Sequence, residues 1–230
     1  MKKIAIALFV LTLLAAQTAF ASNVVRISQV YGGGGNTGAS YSNDFVELFN
    51  SSNSPVDISG WSLQYGSATG TVNLGACTNC LTVLPTGSVI PGCGYFLIQL
   101  AAGTVLGAPP LPTPDYAPSP NSTVNNLSAS SGKIGLKADG LTTPCAPQSA
   151  FVDLVGYGTT NCAEVTAAGG LSNTTAVFRN NGGLDDTDVN SADCTVAAPA
   201  PRNSASPPNT ACVPTSTEPS TWGSVKSLYR

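Results

Sequence analysis

The chain has 230 residues, with 9 lysines and arginines against 12 acidic residues and no histidine. Charged residues make up 9% of it, far below the roughly 25% of an ordinary soluble domain. So few cations give little attraction to phosphate backbones or anionic membranes, which sets nucleic acid aside as a partner; without histidine the chain lacks the usual general base near neutral pH, the Ser-His and Cys-His nucleophile pairs, and the commonest zinc ligand.

Met1-Lys2-Lys3, an apolar run over residues 4–16 broken only by Thr12, and Ala19-Phe20-Ala21 form the pattern of a secretory signal peptide at residues 1–21. Ser22, not a cysteine, stands directly after that site, and no later stretch reaches the roughly 20 apolar residues a membrane span requires. The expectation is an exported protein, secreted or held at the cell surface, with no stable span. Lys2 and Lys3 fall in the leader, so the remainder is more acidic still.

Short alternating runs separated by turn residues then recur from Asn23 to Arg179. Val25, Ile27, Gln29 and Tyr31 alternate with Val24, Arg26, Ser28 and Val30, and Gly32 to Gly35 end the run in what reads as a flexible turn. Further strands are predicted at 45–49, 56–58, 61–65, 70–74, 81–84, 95–100, 133–137, 151–157 and 175–179. Nothing of similar strength reads at helical period, so the class is all-β, a sandwich or barrel. Trp61, Leu63 and Tyr65 share one face of their strand, and a tryptophan placed after the Ser59-Gly60 break suits burial between two sheets. Trp61, Phe45 and Leu48 are the predicted core.

The seven cysteines are Cys77, Cys80, Cys93, Cys145, Cys162, Cys194 and Cys212. In an exported chain they are expected as disulfides, the odd one left free or bonded between chains. Cys145–Cys162 and Cys194–Cys212 are the favoured pairs, each closing a short segment, with Cys93 joined to Cys77 or Cys80; spacing does not fix the connectivity. Cys77-Thr-Asn-Cys80 also has zinc-ligand spacing, but no second C-x-x-C and no histidine accompanies it.

Residues 106–126, rich in Pro, Ser and Asn, read as a long surface excursion. From about 196 to 221 the chain is dominated by Pro, Ala, Ser and Thr, as a linker is. The division drawn from this is a sandwich domain at 22–206, a linker at 207–221 and a short amphipathic tail at 222–230. In that tail Trp222, Val225 and Tyr229 stand at near-helical spacing, and Lys226 and Arg230 favour a helix C-terminus. It resembles short Trp-containing, Lys/Arg-ending tails of some exported bacterial proteins, which makes it a sorting or docking tag, or else a terminal helix over an apolar patch.

Asp186, Asp188 and Asn190 carry oxygen side chains at alternate positions, with Asp193 beyond. Calcium takes clustered oxygen ligands, yet the places an EF-hand fills with Gly and Glu hold Ser191 and Ala197. Two readings stand: calcium, the one cofactor the sequence suggests, or an Asx-turn loop binding its own backbone. No nucleophile elbow or phosphate-binding loop is present, and Glu47 sits inside a strand where it suits fixing a neighbouring loop. A carboxylate pair of glycosidase type remains the one catalytic route open. The expectation is a protein without catalytic residues.

Asn43-Asp-Phe-Val-Glu-Leu-Phe-Asn50 followed by Val56-Asp-Ile-Ser-Gly-Trp-Ser-Leu63 resembles the lamin tail domain, and more narrowly its exported bacterial branch. The stretches at 25–35, 90–98, 151–158, 186–193 and 199–203 extend the likeness over roughly residues 23 to 206. The resemblance implies an immunoglobulin-like β-sandwich with long loops and a Pro/Ser/Thr-rich C-terminal tail, acting as a binding or structural module. Where such families carry an aromatic after the last Asp, this chain has Cys194, which implies a local disulfide in place of packing. The expected partner is a protein or surface polymer, met by the loops at 32–42, 66–80 and 106–126. Alternatives are a subunit of an extracellular fibre or matrix, assembling through the odd cysteine or sheet edges, and an accessory component of a secreted, nuclease-type hydrolase system.

Overall fold

The computed structural model describes residues 24–118 and 125–212. The leader at 1–21 and the tail at 222–230 lie outside the described residues. Eleven strands are described: β1 Val25–Tyr31, β2 Asn43–Asn50, β3 Val56–Asp57, β4 Ser62–Ser67, β5 Leu81–Val83, β6 Val89–Ile90, β7 Tyr95–Ala102, β8 Gly132–Lys137, β9 Asp153–Tyr157, β10 Ala176–Arg179 and β11 Cys194–Ala197. Two antiparallel sheets face each other, one ordered β11-β10-β1-β2-β7 and the other β5-β4-β8-β9, with β3 and β6 as a separate pair. Single helical turns at Asn180–Gly183 and Asn190–Asp193 join β10 to β11.

Between the sheets lie Val25, Ile27, Val30, Val46, Leu48, Leu63, Ile98, Ile134, Leu136 and Val155. Leu48 is therefore core, as expected. Trp61 is half-buried and packs at the rim of the same cluster, its carbonyl accepting from Leu84 N. Phe45 is fully buried on the opposite face of its sheet, with Tyr31, Leu97 and Leu111. All eight residues of β2 are buried, because loops cover the outer face that alternation would otherwise leave to water.

Strict alternation along β1 fails at one point. Ile27 pairs with Leu48 and Gln29 with Glu47, so Ser28 is an extra residue that reverses the phase. Ser28 and Gln29 both turn outward to Glu47, and Val30, not Gln29, returns to the core. The strand expected at 70–74 is absent: Gly70 closes a turn on Ser67, and Leu74 alone bridges to Thr143, filling a small cluster with Phe151, Leu154 and Cys162. The glycine run does turn, Asn36 N donating to the Gly33 carbonyl at 3.2 Å, but it is tightly enclosed rather than loose. Gly32 to Gly35 are buried, and a Cβ on Gly34 would lie 2.0 Å from the Asn43 carbonyl carbon.

Three disulfides are formed: Cys77–Cys80, Cys93–Cys212 and Cys145–Cys162. The expected Cys194–Cys212 bond and the bond from Cys93 to Cys77 or Cys80 are replaced. Cys194 is held opposite Arg179 by the β10–β11 ladder and is a buried free thiol. Cys212 instead reaches Cys93, because Asn209 N donates to the Cys93 carbonyl at 2.8 Å and lays the chain against the head of β7. Residues 207–212, in the segment read as linker, thus pack on the body.

Candidate functional site

Charge is rare in this chain, and its buried share is gathered into a few nodes. The first joins the sheets. Arg179, at the end of β10, donates through Nη2 to both oxygens of Asp153 on β9 at 2.7 and 2.8 Å, through Nη1 to Asp186 at 3.0 Å, and through Nε to the Ile27 carbonyl at 3.1 Å. Asp153 also accepts from Ile27 N at 2.5 Å, so one carboxylate ties β9 to both β1 and β10. Arg26 Nε stands 2.9 Å from Asp186 Oδ2, an ion contact rather than an aligned hydrogen bond.

Beside this node Glu164 accepts from Asn190 Nδ2 at 2.7 Å and Leu154 N at 3.2 Å. Burial, and then the neighbouring Asp153 carboxylate, push its carboxyl up to about 8. Asp153, Glu164 and Asp186 bring carboxylate oxygens within 4.8 Å of one another. The Arg179 guanidinium, paired with two of the three, supplies the positive charge there.

The four residues offered for calcium are largely engaged elsewhere. Asp186 pairs with Arg26 and Arg179. Asn190 is buried and bonds Gly156 N, Glu164 N and the Leu154 carbonyl. Asp193 accepts from Thr187 N, Thr187 Oγ1 and Val189 N, the pattern of a loop folded on its own side chain. Asp188 is exposed, with a left-handed φ of 57°.

A second node lies on the outer face of the larger sheet. Glu47 is fully buried and accepts from Ser28 Oγ, Gln29 Nε2 and Arg202 N, while Arg202 Nη2 pairs with it at 2.7 Å. The Arg202 guanidinium also stacks 3.6 Å over the Tyr95 ring. Gln29 and Ala200 exchange hydrogen bonds, and Ser204 N and Oγ donate to Asp115. Residues 200–212 are thereby a strap across β1, β2 and β7. An open groove of about 820 Å³ runs beside it, lined by Tyr95, Asn181, Leu184, Asp185, Arg202 and Pro208 among others. Sequence reasoning assigned Glu47 a loop-fixing role but not its partner, since a Pro/Ala/Ser-rich segment carries no periodic signal.

Asp44 makes the third node. It accepts from Gly34 N and Leu127 N, both at 2.8 Å, and burial pushes its carboxyl up to about 8 against those two donors. Two of the three expected contact loops meet beyond it. Val105 N donates to the Gly35 carbonyl at 3.0 Å and Ser42 N to that of Pro109 at 2.9 Å. Asn36, Gly38, Ala39, Val105, Leu106 and Pro109 line a recess of about 280 Å³, and Leu106 is 95% exposed. The third loop is tied to Lys133 and Asn161 through Gly70 and Ala68.

Two facing antiparallel sheets with loop-borne recesses and internally paired charges define an immunoglobulin-like sandwich module. The Lamin Tail Domain sequence model matches residues 18–159, more than half of the chain, and the chain belongs to that family. The crystal structure of a DUF4876 family protein from Bacteroides thetaiotaomicron shares the fold at a TM-score of 0.52 and 10% identity, over 82% of this chain and 75% of that one. A comparison with curated proteins gives no match. No helix among the described residues is long and apolar enough to cross a membrane. β10, β11 and the strap lie past the matched residues, yet they complete the larger sheet and its outer face.

Proposed function

We propose that this protein is an exported, non-catalytic lamin tail domain module that binds a protein or surface polymer outside the cell. The observation that carries the reading is the paired loop tip. Leu106 stands almost fully exposed beside Val105, over an uncharged recess built by two loops that Asp44 and the glycine run hold in place. The interior carboxylates, by contrast, are engaged in holding strands and loops. Three disulfides suit an oxidising compartment, in keeping with the leader pattern at 1–21.

The purified protein is accordingly expected to bind intact producing cells or their envelope saturably. Leu106→Asp should weaken that binding about tenfold or more while leaving the melting temperature unchanged, as for an exposed apolar anchor. Equal binding by L106D, or substrate turnover abolished by a point change that leaves the protein folded, would overturn the reading. In the same reading the module needs no metal, and adding calcium leaves its melting temperature where it was.

A fibre or matrix subunit remains the second reading, carried by β11, an outermost strand whose Thr195, Val196 and Ala197 are exposed. Intermolecular bonding through the odd cysteine does not support it, since Cys194 is buried. Concentration-dependent assembly insensitive to reductant is the result this second reading requires.

A further inference from the structure

The three disulfides differ in what they hold. Cys93–Cys212 and Cys145–Cys162 span 119 and 17 residues, whereas Cys77–Cys80 spans three. The constraint a bridge places on the unfolded chain grows with the loop it closes, so the shortest contributes least. Its surroundings are fixed by other means: Cys80 N donates to the Cys77 carbonyl at 3.1 Å, Tyr65 N to that of Cys80 at 2.9 Å, and Asn125 N to that of Asn79 at 2.6 Å.

The two sulfurs also differ in access. Cys77 is exposed on the loop, while Cys80 is 7% exposed and belongs to the cluster between the sheets, with Tyr65 and Leu84. An incoming thiolate therefore meets the Cys77 sulfur, and the sulfur displaced is the sheltered one, held where it can re-form the bond. Attack on a disulfide is governed by which sulfur is accessible and which leaves.

We propose that Cys77–Cys80 is a thiol–disulfide exchange site, open to thiols outside the cell through Cys77. The thiolate forms a new S–S bond to Cys77; the Cys77–Cys80 bond breaks, and Cys80 leaves as a thiolate that takes a proton from water. A second thiol attacks the mixed disulfide and releases Cys77. Two electrons have then passed from two thiols to the bridge, leaving a dithiol on the protein and a disulfide on the partner. Cys194, buried at the head of β11, takes no part.

The test is reduction of the native full chain by excess reduced glutathione, quenched at intervals by alkylation and mapped by mass spectrometry. Cys77 and Cys80 are expected to label about tenfold or more faster than the other two pairs, with the melting temperature unchanged. All three bridges opening together, or opening only on unfolding, would sink the proposal. With oxidised glutathione, C80S should form an adduct at Cys77 and C77S none at Cys80; adducts at both alike would also overturn it. Should C80S melt early, the wild-type rates decide alone. A parallel arm with a reduced cysteine-bearing protein separates sources: faster exchange there assigns a protein thiol, faster exchange with glutathione a small one.

Discussion

Glu47 illustrates how much a single residue type can hide. Its place inside a hydrophobic strand made a structural role legible, but its partner lies 155 residues away in sequence. Removing one member of a buried ion pair leaves the other charge stranded, which costs more than the pair contributes. Arg202→Met removes the guanidinium from over Tyr95 and leaves the Glu47 charge with Ser28, Gln29 and the backbone N–H of residue 202 as its donors. The expected loss is about 2–4 kcal/mol, read from the denaturant midpoint at constant slope. Glu47→Gln should cost less, because Arg202, partly exposed, can turn to water. Titration gives a second residue-level prediction. Asp44 and Glu164, with ordinary values of 3.8 and 4.5, are each raised to about 8 in the folded protein. Across that window the folded state holds more protons than the unfolded, so stability falls as the pH rises and levels off above it. Asp193 acts in the opposite sense. Burial opposes its ionisation, but the donors on Thr187 and Val189 bring it below 3.8, so its contribution is in place above that value and is lost as the pH falls further. Melting should accordingly be higher at about pH 5.5 than at about pH 8.5, and equal values would refute the protonated state of the two raised carboxyls.

At the scale of elements, the strands with strong alternation were legible and the connectors were not. β2, β4 and β7 each carry enough apolar residues at one period to declare themselves. β6 and β11, two and four residues long, are strands only because neighbours present a ladder to them. The bulge at Ser28 was invisible for a similar reason: the extra residue is set by pairing with β2, not by anything local. The four glycines carried a clear signal whose meaning depended on what surrounds them. They thread between neighbouring backbones, as Gly32 shows against the Ser128 carbonyl, where a Cβ would stand 2.3 Å from the oxygen. Gly34→Ala should therefore severely destabilise the protein, because the clash is with backbone that cannot rotate away. Gly38→Ala meets open space and costs only the strain of a φ of 74°, on the order of 1 kcal/mol. Thermal melts of the two variants separate close approach from turn flexibility; equal effects would mean that the turn at Gly34 is loosely enclosed after all.

For the whole molecule, fold class and family were readable from the alternating runs and the family-like stretches between residues 23 and 206. The cysteine map was not, since each bond is set by where the chain has already been brought, and Cys212 is carried to Cys93 by a strap that looked unstructured. The family match ends at residue 159, before β10 supplies the arginine that Asp153 requires. A fragment cut there leaves β1 without its β10 partner and a buried carboxylate without its cation. Such a fragment is expected to be insoluble or molten, with dispersed side-chain NMR signals appearing only when the chain runs to residue 212. A well-folded 22–159 fragment would show that β10, β11 and the strap are additions rather than parts of the domain.

The bond from Cys93 to Cys212 also decides how this protein would bear tension. Whatever pulls on the far end of the chain is met at the head of β7 by a covalent link, so β11 cannot be peeled from its neighbour one residue at a time. The stretch between the two cysteines, β7 and β11 included, stays off the extending thread until the link is cut, and only the chain before Cys93 can be drawn out.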